Sequence, residues 1–65
     1  MRVRYFEDTD TLYIELRDSA VAETRDLDEN TLIDVDEQGC MVAITIEHAK
    51  DRAELANVVY ERVEA

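Results

Sequence analysis

The sequence predicts an α+β fold: an antiparallel β-meander sheet of four to five strands with one C-terminal α-helix packed on it. Three observations lead there. The segments Thr11–Leu16, Thr31–Asp36 and Cys40–Ile46 alternate apolar residues with period two, as half-buried strands do. The breaks between segments are short and rich in turn-forming carboxylates. The last stretch, Asp51–Val63, carries apolar residues at helical spacing.

The elements follow in order. Residues 2–6 (RVRYF) place Val3 and Tyr5 on one face and Arg2, Arg4 and Phe6 on the other. Glu7-Asp8-Thr9-Asp10 is a polar break. In strand 11–16, Leu12, Ile14 and Leu16 point one way, and Thr11, Tyr13 and Glu15 the other. After Arg17-Asp18-Ser19 comes a weaker strand, 20–25, whose polar residues suit a sheet edge. Asp28-Glu29-Asn30 is a turn. Strand 31–36 directs Ile33 and Val35 inward and Asp34 and Asp36 outward. Glu37-Gln38-Gly39 closes a hairpin, where the chain's one glycine supplies positive φ. Strand 40–46 is apolar on both faces, which suits a central position. The helix, about residues 50–63, begins at Asp51, with Glu54 at capping-box spacing. Leu55, Val59 and Val63 mark one face, and Ala49, Ala53, Ala56, Tyr60 and Val58 widen it. This arc exceeds what one sheet covers, so Leu55, Val58, Val59, Tyr60 and Val63 are candidate interface residues.

With 65 residues the chain is long enough for one domain. So small a domain buries only about 60% of its unfolded surface and needs further support. Cys40 and His48 are the only cysteine and histidine, so neither a disulfide within the chain nor a cysteine-rich zinc site is available. Self-association is the remaining remedy, and a homo-oligomer is expected. The net charge of −10 disfavours direct contact with nucleic acid or an anionic membrane and favours a basic protein partner. Lys50 is the only lysine among seven basic residues, a balance that also suits a salt-rich cytoplasm. No stretch approaches the roughly 20 apolar residues of a membrane span. The first residues lack the apolar core of a signal peptide, so a cytoplasmic location is expected.

Candidate chemistry is sparse. Asp34, Asp36 and Glu37 resemble the start of a calcium loop, but the loop's third ligand and closing glutamate are missing. Solvated turn carboxylates are the simpler reading. Asp8 and Asp10 are expected to bond backbone amides. His48 reads as a capping or surface histidine, and Cys40, without basic neighbours, as an inert thiol. Tyr5, Phe6, Tyr13 and Tyr60 could stack bases only beside a basic groove, and just Arg2 and Arg4 lie near Tyr5 and Phe6. Packing is the better role for these aromatics. No catalytic constellation, cofactor motif or phosphate loop is present, so an enzyme is not expected.

The order of residues carries a resemblance. Tyr5, the run Asp8-Thr9-Asp10-Thr11-Leu12-Tyr13-Ile14 with Leu16, Val21-Ala22-Glu23-Thr24, Ile33-Asp34-Val35-Asp36 with Gly39, and Val42-Ala43-Ile44-Thr45-Ile46-Glu47 with Ala49 stand in fixed succession. Over roughly residues 1–50 the chain resembles the bacterial and archaeal family called domain of unknown function 2283. Ala43 and Thr45 stand where that family often has Gly and Glu, and the tail beyond Ala49 is less typical. The resemblance implies a small α+β domain, a meander with a C-terminal helix, and no established activity. Some members are similar in genomic setting to antitoxins beside small ribonuclease-type toxins. The expected function is non-enzymatic association, with an antitoxin-like inhibitor of a basic ribonuclease as its sharpest form. The alternative is a metal or small-molecule binding module using Asp34 and Asp36.

Overall fold

The computed structural model describes residues 1–64. Alternating side chains set the strands: β1 (Arg2–Phe6), β2 (Thr11–Glu15), β3 (Glu23–Asp28), β4 (Thr31–Val35) and β5 (Met41–Glu47). All neighbours are antiparallel, in the spatial order β1-β2-β5-β4-β3. The only helical turn among the described residues is a 3₁₀ turn at Ala49–Asp51. The fold is therefore all-β, and no helix among the described residues is long and apolar enough to cross a membrane.

Three expectations are corrected. The helix over about 50–63 does not form. Isolated helices of that length are marginal in water and gain most of their stability from packing. Asn57, Val58, Val59 and Tyr60 are weak helix formers, and the segment lies almost wholly exposed. The second correction is to the meander. From β2 the chain crosses to the far edge of the sheet, because a sequential order would place the charged ETRDLD strand between two apolar neighbours. Every residue of β3 is exposed, while β5, apolar on both faces, takes the centre. Thirdly, the weak strand expected at 20–25 lies at Glu23–Asp28. Its apolar start, Ala20-Val21-Ala22, belongs to the crossover, which joins the sheet through the Ala22 N–H donating to the Val35 carbonyl at 2.9 Å.

The register aligns rows of side chains across the sheet. Val3, Ile14, Ile44 and Ile33 form one row, ending on Arg25 of β3. Tyr5, Leu12, Ile46 and Thr31 form the next row on the same face. The opposite face carries the row Arg2, Glu15, Ala43, Asp34 and Thr24, and the row Arg4, Tyr13, Thr45, Leu32 and Asp26. One face is thus apolar and the other mixed and charged, the pattern expected when an antiparallel sheet buries one side. Two bulges interrupt the ladder. Leu27 is the extra residue opposite β4, and Val42 the extra residue where Val35 meets Met41.

Candidate functional site

The apolar face is the largest feature that the fold leaves unfinished. Leu12, Val35, Val42, Ala43 and Ala49 are the buried apolar residues, and no large side chain is fully buried. Ile14, Ile33, Ile44 and Ile46 are only half-buried, and Val3, Leu27 and Met41 are exposed. A sheet face of this kind is stable when a second layer covers it, yet the chain measures 36 × 34 × 18 Å and among the described residues no second sheet or helix lies on it. At one corner the face dips into an open depression of about 320 Å³. Ile33, Val35 and Met41 floor it, Leu27 and Arg25 rim it, and Gly39 borders it. Leu27, the bulged residue of β3, is among its lining residues.

Asp10 organises the opposite end of this face. Its backbone is left-handed (φ 53°), as is that of His48 (φ 54°). Asp10 Oδ1 accepts the Tyr5 hydroxyl at 2.7 Å and the Lys50 N–H at 3.1 Å, and the Asp10 carbonyl accepts the Ala49 N–H at 3.0 Å. One residue thereby ties β1, the first turn and the end of β5 together. The Tyr5 hydroxyl bond, with help from the Lys50 amide and nearby positive charge, lowers the Asp10 pKa. The same bond, with partial burial and the charge of Asp10, raises the Tyr5 hydroxyl from 10.0 to about 12.

The signs follow from which state keeps its proton. Tyr5 contributes stability that is fully present below pH 10 and lost as pH rises towards about 12. Asp10 contributes stability present above its ordinary 3.8 and lost as pH falls through its lowered value. Melting temperature measured from pH 9 to 12 is expected to fall more steeply for the native chain than for Tyr5→Phe. Equal slopes would show that the bond contributes nothing.

The residues singled out in the sequence fall as follows. Asp36 is a turn organiser: its Oδ1 accepts the N–H groups of Gln38 and Cys40 at 3.0 and 2.9 Å, and Gly39 takes φ 81°. Arg17 approaches its other oxygen at 3.9 Å. Asp34 Oδ1 accepts the Thr24 hydroxyl across β3 and β4 at 2.7 Å. Asp34 belongs to the charged face and Asp36 to the turn, and no group of three or more His, Cys, Asp and Glu able to hold a metal ion occurs among the described residues. Asp8 bonds the neighbouring Thr9 amide. His48 is exposed at the start of the 3₁₀ turn and makes no side-chain capping bond. Cys40 is an exposed free thiol. Tyr5 lies on one face of the sheet and Phe6 and Tyr13 on the other, and Tyr60 stands on the irregular segment, so the four aromatics do not share one face. Of the candidate interface residues Leu55 is half-buried, whereas Val58, Val59, Tyr60 and Val63 are exposed on an irregular segment.

Sequence reasoning missed two things. It gave Asp10 to local amides, whereas its partners come from β1 and from Lys50, far along the chain. It also placed the interface on the helix together with one sheet face, whereas the helix does not form and the sheet face is left without it. The signal was present: with no helix to pack on it, a five-stranded sheet has nothing to hide its isoleucines.

The family described as Protein of unknown function (DUF2283) has a model that matches residues 2–50, from β1 into the 3₁₀ turn. No curated protein matches the chain. No solved structure matches it either.

Proposed function

The chain belongs to the DUF2283 family of proteins of unknown function, and from that premise we propose that it works by protein–protein association, forming a homo-oligomer through the isoleucine face of its sheet. The uncovered face carries this reading, and its size can be judged. A folded monomer of 7.5 kDa is expected to expose about 4,200 Å². This chain exposes 5321 Å². The excess, about 1,100 Å², is comparable to the roughly 800 Å² that each partner contributes to a standard interface. The radius of gyration agrees: 12.9 Å against about 11 Å for a compact chain of this length. Exposed large apolar residues on the sheet, Val3, Leu27 and Met41, and on the C-terminal segment, Val58, Val59, Tyr60 and Val63, contribute to it.

Charge leaves that face available. Across β1, β2, β5 and β4 its two rows carry no charge, Arg25 stands only at the β3 end, and most carboxylates stand on the opposite face, the turns and β3. Light scattering on eluting protein is expected to give a multiple of 7.5 kDa, more fully as salt screens the net charge. A mass of one chain at every salt concentration counts against the proposal.

A second reading concerns the acidic remainder of the surface. The net charge of −10 favours a basic partner and speeds the encounter with it, which is what an antitoxin-like inhibitor of a basic ribonuclease would use. Purification from the native host without any small basic protein would remove its support. The alternative of an ion or small molecule held by Asp34 and Asp36 is disfavoured, since Thr24 and two backbone amides already engage these carboxylates.

A further inference from the structure

Two apolar surfaces of the chain are uncovered at once. One is the isoleucine face. The other is the C-terminal segment, which lies outside the family match and exposes Val58 at 68%, Val59 at 81%, Tyr60 at 83% and Val63 at 81%. So dense a run of exposed large apolar side chains on a small acidic chain marks a contact surface. Among the described residues, no backbone hydrogen bond ties residues 58–64 to the sheet.

The root of the segment is fixed. The Arg52 guanidinium donates to the Asn30 carbonyl at 2.8 Å and lies 3.6 Å from the Asp28 carboxylate, and the Ala53 N–H donates to the Ala49 carbonyl at 2.9 Å. These bonds pin residues 49–53 to the end of the sheet where β3 turns into β4. They fix where the segment starts, and beyond them Val58, Val59, Tyr60 and Val63 stay exposed. Beyond this anchor, residues 53–64 extended at about 3.3 Å each reach ~40 Å, more than the 36 Å largest extent of the whole chain.

We infer that residues 53–64 of one copy lie on the isoleucine face of a second copy. The inference rests on the self-association proposed above and names what covers the face. The contact joins the two uncovered surfaces to each other, and neither surface needs a further partner. Exchanged both ways it is isologous: each copy gives a segment and receives one, and the assembly closes at two chains. The candidate interface residues Leu55, Val58, Val59, Tyr60 and Val63 enter this contact as parts of an arm.

The test uses the full chain. A Val59→Asp, Tyr60→Asp, Val63→Asp triple variant alters only exposed positions and is expected to keep the native far-ultraviolet circular dichroism. Its dimer dissociation constant is expected to rise at least 100-fold by sedimentation. In a mixture of isotope-labelled and unlabelled native chains, filtered nuclear Overhauser spectra are expected to connect the Tyr60 ring of one copy to isoleucine methyls of the other. A native dimer whose dissociation constant is unchanged in the triple variant overturns the arm but leaves association through the face standing. A native chain that is monomeric overturns both.

Discussion

The Val42→Asp variant is unfolded at 25 °C. Val42 is the bulged residue of the central strand and is 2% exposed. Removing its side chain from the interior forfeits about 1.5–3 kcal/mol of burial. The carboxylate put in its place is withdrawn from water, and a buried charge costs several kcal/mol more unless it is paired or takes up a proton. A chain of 65 residues has only about 3–10 kcal/mol of stability in total. Far-ultraviolet circular dichroism checks the result, and a native sheet spectrum at neutral pH would refute it. The contrast is Val3→Asp, 45% exposed on an edge strand, which is expected to remain folded.

The second large effect is on assembly. Ile44 stands at the middle of the row that runs from Val3 through Ile14 to Ile33. It is half-buried in the single chain, so Ile44→Asp removes only part of a side chain's burial from the fold. In a symmetric dimer the same change buries two carboxylates without partners. At ~2 kcal/mol or more for each, the dissociation constant rises at least ~100-fold. Sedimentation of variant and native chain at matched concentrations measures this. Val3→Asp is the milder companion at the end of the same row, and it separates loss of assembly from loss of fold. Dimers of unchanged affinity in both variants would place the contact elsewhere.

Much of the sheet was legible in the sequence, and the reason is physical. β2, β4 and β5 each carry one apolar face, and an apolar face imposes alternation, as in Leu12 and Ile14, Ile33 and Val35, or Val42, Ile44 and Ile46. The turn at Gly39 was legible because positive φ favours glycine. The position of β3 was not. An exposed edge strand has no buried side to fix its phase, and Ala20-Val21-Ala22 offered a false start. Yet its polarity indicated an edge, and the apolar faces of β5 indicated the centre. Those two readings already contradicted a sequential meander. The helix failed for another reason. Its apolar spacing is genuine, but Asn57, Val58, Val59 and Tyr60 disfavour helix, and spacing alone does not outweigh that without a surface to pack on. Of the candidate site, the apolar residues were legible but their exposure was not, since exposure depends on which elements fail to cover them.

The strand order also shapes how the chain reaches its fold. β1 and β2 join through one tight turn, and β3, β4 and β5 through two more, so each group closes on near neighbours and at little entropic cost. The seam between β2 and β5 is different: it pairs Thr11 with Glu47 and Glu15 with Ala43, residues from opposite halves of the chain. Contacts so distant along the chain are the slow ones. The protein therefore assembles as two local units that meet late along one line. That line, where Ile14 meets Ile44, should open first on the way back, with amide protons along β2 and the facing edge of β5 exchanging before those between β4 and β5 if the seam is the weaker ladder.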